Sequence, residues 1–156
     1  MITYVLLISN CFPKGHRMAG AITNFEAKII KGMKIHTIRG NYPFWAKRIE
    51  KIQAGKAVLS VRQWIGKPYA KGSTQKGLFV FGAGDGVGVQ LLKLDDIMIT
   101  GLLKNNDVAL TSINGGLLLS HIAKNDGLSL EDFKEWFKGY NLTKPMAIIH
   151  FTPFRY

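Results

Sequence analysis

Gly32-Met33-Lys34-Ile35-His36-Thr37-Ile38-Arg39 opens with a glycine and closes on a cation, and between them Ile35 and Ile38 supply the apolar anchors of a short strand. Side chains alternate along a strand, so Thr37 and Arg39 face the same way. Lys34, where the chain leaves Gly32, is long enough to bend toward either face. Lysine and arginine stabilise negative charge, and a hydroxyl can donate, accept or, once activated, attack. The stretch therefore predicts a cationic, hydroxyl-bearing pocket for an anionic or carbonyl-bearing ligand. Lys/Thr/Arg on an edge strand is also common solvated decoration, and spacing alone leaves both readings open.

Upstream, Thr3 to Ser9 reads as a buried strand, short, continuous and rich in β-branched or aromatic residues. Asn10 to Thr23 is a loop long enough to act as a flap; its His16 is either a ligand contact or simply exposed. Asn24 is placed to cap a short helix with Phe25, Ile29 and Ile30 as its apolar stripe and Gly32 at its end. Downstream, Tyr42 to Ala54 reads as a helix with Pro43 in the first turn and Gly55 at its close. Its Phe44, Trp45, Ile49 and Ile52 are expected inside, with Lys47, Arg48 and Lys51 outside. Lys56 to Gln63 is the next strand.

From that strand runs Arg62 to Lys76, read as a loop in which Trp64 and Tyr69 are interleaved with Arg62, Lys67, Lys71 and Lys76. Cations that hold phosphates beside aromatic faces that stack on bases are the ingredients of single-strand nucleic-acid binding. The alternative is that the rings only cover the core and the lysines are solvated. Gly82 to Gly88 places glycine at every second position and runs into a strand-like stretch, so it lacks the strand-to-helix G-x-G-x-x-G of a dinucleotide site; no P-loop follows either. It reads as a β-hairpin turning at Asp85-Gly86. Gln90 to Thr100 continues as strand, with Asp95-Asp96 at a bend, and Gly101 to Gly116 is loop and short strand. Leu117 to Lys124 reads as helix. Ser129 then caps a second one, Leu130 to Lys138, with Phe133, Trp136 and Phe137 in the core. Pro145 to Phe151 is a closing strand, and Phe154-Arg155-Tyr156 is expected to cover the barrel that these elements imply.

The spacing Gly-x-Lys-x-x-Thr-x-Arg, filled by Gly32, Lys34, Thr37 and Arg39, resembles the signature of the ASCH-domain family, small β-barrel proteins related to the PUA RNA-binding fold. All four positions match, and the order of elements from about Asn24 onward fits more loosely. The resemblance implies an α+β fold, a small mixed β-barrel flanked by short helices. One branch of the family is similar to an amidohydrolase that removes the acetyl group of 4-acetylcytidine, with the motif lysine and threonine and a later glutamate in its site; other members are thought of as RNA binders. Carried over, Thr37 would be the nucleophile, Lys34 its activator and Asp126 the proton donor. Asp126 is one methylene shorter than the family's glutamate, and a catalytic carboxylate must come within about 2.6–3.2 Å of the proton it moves, so the backbone must approach to compensate. Asn125-Asp126-Gly127 is also good turn chemistry in its own right.

At 156 residues the chain has the length of a single domain with an ordinary core. Its net charge of +11 is regional: fourteen of 21 Lys/Arg but only Glu26 and Glu50 among ten acids fall between Lys14 and Lys76. A basic half is what a surface facing a polyanion produces. A merely solvated face, or one docking an acidic protein, remains the alternative. Cys11 is the one cysteine, so no internal disulfide forms, and no Cys/His cluster offers a zinc site. A reducing cytoplasm follows as the simplest compartment. The apolar start, Tyr4 to Ser9, is too short for a signal segment, and no run approaches the roughly 18 apolar residues of a membrane span. The expectation is therefore an RNA- or nucleoside-binding domain with a cleft formed by Arg39, Arg62, Trp64, Lys67, Tyr69 and Lys71. An amidohydrolase using Lys34, Thr37 and Asp126, without metal or cofactor, is the alternative.

Overall fold

Two three-stranded sheets carry the structure, a computed structural model that describes residues 1–92, 108–109, 117–141 and 144–156. In the first, β1 (Ile2–Leu7) pairs in parallel with β3 (Ala57–Ile65), which pairs antiparallel with β4 (Thr74–Phe81). Parallel neighbours need a long crossover. Here it consists of the 10–23 loop, α1 (Phe25–Ile30), β2 (His36–Gly40) and α2 (Tyr42–Gln53). In the second sheet β8 (Met146–His150) lies between β2 and β5 (Gly88–Leu92), antiparallel to both. Every residue of β8 is buried, the polar His150 at its end as well as the apolar Met146–Ile149 that suit a central strand. A short ribbon of β6 (Val108–Ala109) and β7 (Leu117–Leu118) leads into α3 (Leu119–Asn125), followed by α4 (Leu130–Phe137). The fold is mixed α+β. Among the described residues the ladders form these two sheets and the ribbon and do not close into a barrel.

The core lies between the sheets and the apolar faces of the helices. Leu59 and Val61 of β3, Ile49 and Ile52 of α2, and Ile148 and Ile149 of β8 are all buried in it. Phe81 at the end of β4 stacks on Phe151 just beyond β8, with ring centroids 5.5 Å apart, and so ties one sheet to the other. Ser129 caps α4 as expected, its hydroxyl accepting the Asp132 N–H, and Asn41 accepts the Phe44 N–H at the start of α2.

Four expectations are corrected. Asn24 stands at the N-cap of α1 in the left-handed region, with no side-chain cap bond; the Phe25 N–H goes instead to the hydroxyl of buried Thr23. Gly82 to Gly88 is not a hairpin, because β4 and β5 belong to different sheets. Residues 83–85 form a 3₁₀ turn closed by the Asp85 carboxylate on the Gly82 N–H, and the glycines make room for the tail. A Cβ on Gly86 would come 2.5 Å from Pro153, and one on Gly88 would collide with the Arg155 guanidinium. Arg62 and Trp64 lie on β3 and Lys76 on β4, so the connecting loop is shorter than the sequence suggested. The strand at Gly88 is described to Leu92; the rest of the Gln90–Thr100 stretch, Asp95-Asp96, and all of Gly101–Gly116 except the β6 pair lie outside the described residues. Finally, Leu117–Leu118 is strand, and the helix predicted from Leu117 starts at Leu119.

Candidate functional site

Lys34 is buried, with 2% of its surface exposed, although a lysine in that state is rare unless paired. Its partner is Asp126, 92 residues further on: the Nζ donates to the carboxylate Oδ1 at 2.8 Å and to the same residue's carbonyl at 2.7 Å. Backbone geometry makes this possible. Lys34 and Asp126 face one another as an isolated antiparallel bridge, and the Ile35 N–H binds the Asn125 carbonyl at 2.9 Å. The bridge brings the two backbones together, so the short aspartate side chain reaches the ammonium. The Phe25 ring lies under the same Nζ, 4.2 Å from its centroid.

A second buried layer continues from the carboxylate. His36 Nδ1 is 3.7 Å from Asp126 Oδ1, too far for a hydrogen bond, while its Nε2 lies 2.7 Å from the Tyr156 hydroxyl. That hydroxyl also accepts from Asn125 Nδ2 at 3.1 Å. Tyr156 is held in turn by Gln90, which accepts its N–H at 2.9 Å and lies 3.0 Å from His150 Nε2.

Burial alone would raise the Asp126 carboxyl, but Lys34 and His36 outweigh it and hold the group below the usual carboxylate range. Burial pulls the Lys34 ammonium below an ordinary lysine by more than Asp126 restores, and Arg39 and Lys28 push the same way. Desolvation also lowers His36, and it pulls His150 down to about 3.

Thr37 and Arg39 share one side of β2, as alternation predicted. Arg39 Nη1 donates to the Thr37 hydroxyl at 3.1 Å and to the Ile38 carbonyl at 2.7 Å, and Nη2 donates to the Leu7 carbonyl of β1. Thr37 is itself buried. Among the described residues no hydrogen bond joins it to Lys34 or Asp126. The motif thus forms two pairs, Lys34 with Asp126 and Arg39 with Thr37, rather than the single expected triad.

Leu7 links this buried centre to the surface. It lines a cleft of about 470 Å³ with Phe12, Lys14, Trp64, Pro68 and Tyr69. Tyr69 is 83% exposed and holds a φ of 61°, a backbone state that bulky side chains rarely adopt. Its ring stands 5.0 Å from Trp64, tilted by 57°. Lys67 and Lys71 are exposed on the same loop. Two neighbours expected there are engaged elsewhere: Arg62 donates to Ser60 Oγ, and Lys76 pairs with Glu26.

Nothing in the local sequence pointed to His36, Asn125 and Tyr156 as partners of the site. Nor did it show that His16 is buried. His16 accepts the Met18 N–H at 3.0 Å and lies 3.3 Å from the Asp132 carbonyl, with Asp132 and Glu135 carboxylates beyond. His16, Asp132 and Glu135 stand close enough to share a metal ion. Arg17, however, already lies 2.7 Å from Asp132 and 3.1 Å from Glu135. The cluster is therefore an ion-paired clasp that fastens the 10–23 loop, one wall of the cleft, to α4.

No helix among the described residues is long and apolar enough to cross a membrane. Comparison with models of known protein families, with curated proteins and with solved structures finds no match.

Proposed function

We propose that the protein binds RNA or a nucleoside in the cleft between the Leu7–Lys14 segment and the Trp64–Tyr69 hairpin. The observation that carries this reading is Tyr69, a large ring kept in solvent on a left-handed backbone, beside Trp64 at the cleft mouth. Strain and exposure of this kind cost stability, and they cluster where a ligand is clamped. A base entering the cleft would stack on these rings, with Lys14, Lys67 and Lys71 near its phosphates. The basic half of the sequence supports the same partner. Membership of the ASCH family and a PUA-like barrel belong to this proposal. The motif match favours both, and a barrel would require the ladders of the two sheets to join. The test is binding of single-stranded RNA across a salt series: the log–log slope should be negative by about 0.7 per phosphate contacted and shallower in Lys67→Ala/Lys71→Ala. An unchanged slope in that variant, or no binding at low salt, would remove the basic loop from the interface.

A second reading is favoured by one contact, the Lys34–Asp126 pair at 2.8 Å. It supplies the carboxylate that the amidohydrolase branch places beside its lysine, next to an ammonium that burial makes easier to deprotonate. Arg39 on the Thr37 hydroxyl could hold a developing oxyanion. On this reading the protein releases acetate from 4-acetylcytidine, and Thr37→Ala abolishes turnover while leaving the fold intact. Asp126→Glu should not help, because the shorter side chain already reaches Lys34 and an added methylene in a filled site costs about 1–3 kcal/mol. No turnover by wild-type protein that demonstrably binds the nucleoside would dispose of the hydrolase.

A further inference from the structure

A second cleft, of about 420 Å³, lies between β1 and α2, lined by Tyr4, Asn41, Pro43, Phe44, Lys47, Arg48 and Lys51. Its centre is Arg48. The guanidinium carbon sits 3.8 Å from the Phe44 ring centroid and 4.8 Å from that of Tyr4, with Trp45 at 5.4 Å. Aromatic faces hold a guanidinium by its plane and leave its N–H edge free for a bidentate anion. Lys47 and Lys51, one turn apart and both exposed, flank it on α2. Like charges at that spacing destabilise a helix. Among the described residues no carboxylate lines the cleft and none pairs with any of the three cations. Those residues thus gather three positive charges in one hollow with no carboxylate paired to them.

We infer that this hollow is a phosphate site for the continuation of a nucleic-acid strand whose bases occupy the Trp64–Tyr69 cleft, so that the ligand is a single strand of several nucleotides rather than a free nucleoside. The inference rests on the RNA-binding reading above. Both clefts are lined by β1, one at Tyr4 and the other at Leu7. Tyr4 and Leu7 lie about 10 Å apart along β1 and point to opposite faces of this edge strand, so a ligand serving both clefts rounds that edge, and single-strand channels engage roughly 4–16 nucleotides. The aromatic cleft would take the bases and the Arg48 cleft the backbone.

The experiment measures fluorescence anisotropy of a labelled uridine dinucleotide and of an oligouridylate of about 12 nucleotides. Each is titrated with wild-type protein, Lys47→Gln/Lys51→Gln and Tyr69→Gly. The two lysines are exposed, so their exchange should leave the fold intact, checked by thermal melting. Expected is a salt slope for the longer strand that falls by about 1.4 in the double-lysine variant, two contacts at 0.7 each, with dinucleotide binding unchanged. Tyr69→Gly should weaken both ligands. An unchanged slope in Lys47→Gln/Lys51→Gln, while Tyr69→Gly still weakens binding, overturns the second cleft and leaves the first standing. Equal affinity of wild-type protein for dinucleotide and longer strand overturns it too. Displacement of the longer strand by polyglutamate at matched charge would reassign the cleft to an acidic protein. If neither oligonucleotide binds at low salt, the RNA reading itself fails and takes this inference with it.

Discussion

Tyr69→Gly separates a ring kept for binding from a ring kept for packing, because the two roles predict opposite pairs of results. At φ 61° the tyrosine backbone lies in the left-handed region, which costs an L-residue with a side chain about 1–2 kcal/mol and glycine almost nothing. Against that gain stand the extra freedom of glycine in the unfolded chain, about 0.5–1 kcal/mol, and the lost contact with Trp64. Such an aromatic pair is worth about 0.5–1.5 kcal/mol, and a ring 83% exposed belongs at the low end of that range. The terms nearly cancel, so urea denaturation should place the variant within about 1 kcal/mol of wild type. RNA affinity, by contrast, should fall by about 1–3 kcal/mol for the lost stack, roughly 5- to 160-fold in Kd. Anisotropy titration at low salt measures it. A variant destabilised by more than about 2 kcal/mol that binds RNA as well as wild type would refute the reasoning and make Tyr69 a structural cover.

Lys34→Met leaves the Asp126 charge buried without its counter-ion and should destabilise by about 3–5 kcal/mol in chemical denaturation, whereas Lys34→Met/Asp126→Leu should recover most of the loss. A single variant as stable as wild type would show that the pair is not a buried ion pair. Stability should also fall on acidification below the ordinary histidine range. The folded pKa values of His36 and His150 are both depressed by burial, that of His150 to about 3, so their contribution is complete above the unfolded value and is lost as pH falls toward the folded ones. Each can remove at most about 1.4 kcal/mol per pH unit in that window, and Asp126, also depressed, extends the loss to lower pH. A urea midpoint that stays flat from pH 7 to about pH 4.5 would contradict this.

Local features were legible wherever the physics is local. The common side of Thr37 and Arg39 follows from strand alternation, and the start of α4 from Ser129. Contacts that depend on chain closure were not. The partner of His16 lies 116 residues away, and that of the Tyr156 hydroxyl 120, so nothing in either neighbourhood could announce the pairing. Asp126 drew notice only through the resemblance. The reason it can serve, the backbone bridge to Lys34, is a property of the folded topology. The Gly82–Gly88 misreading has the same origin: the glycines answer to Pro153 and Arg155, not to a turn of their own.

The central place of β8 sets a timetable for a ribosome. Among the described residues the first sheet has its three strands once Phe81 has been made, but β2 pairs only with β8, so Thr37 waits for Ile149 and His36 for His150. Until then Ile38 and its neighbours form an unpartnered apolar edge of the kind that sticks to other chains. A translation product interrupted before β8 would therefore carry the Trp64–Tyr69 hairpin but no assembled motif, and Lys34, Thr37 and Arg39 take up their final places only once β8 has been made.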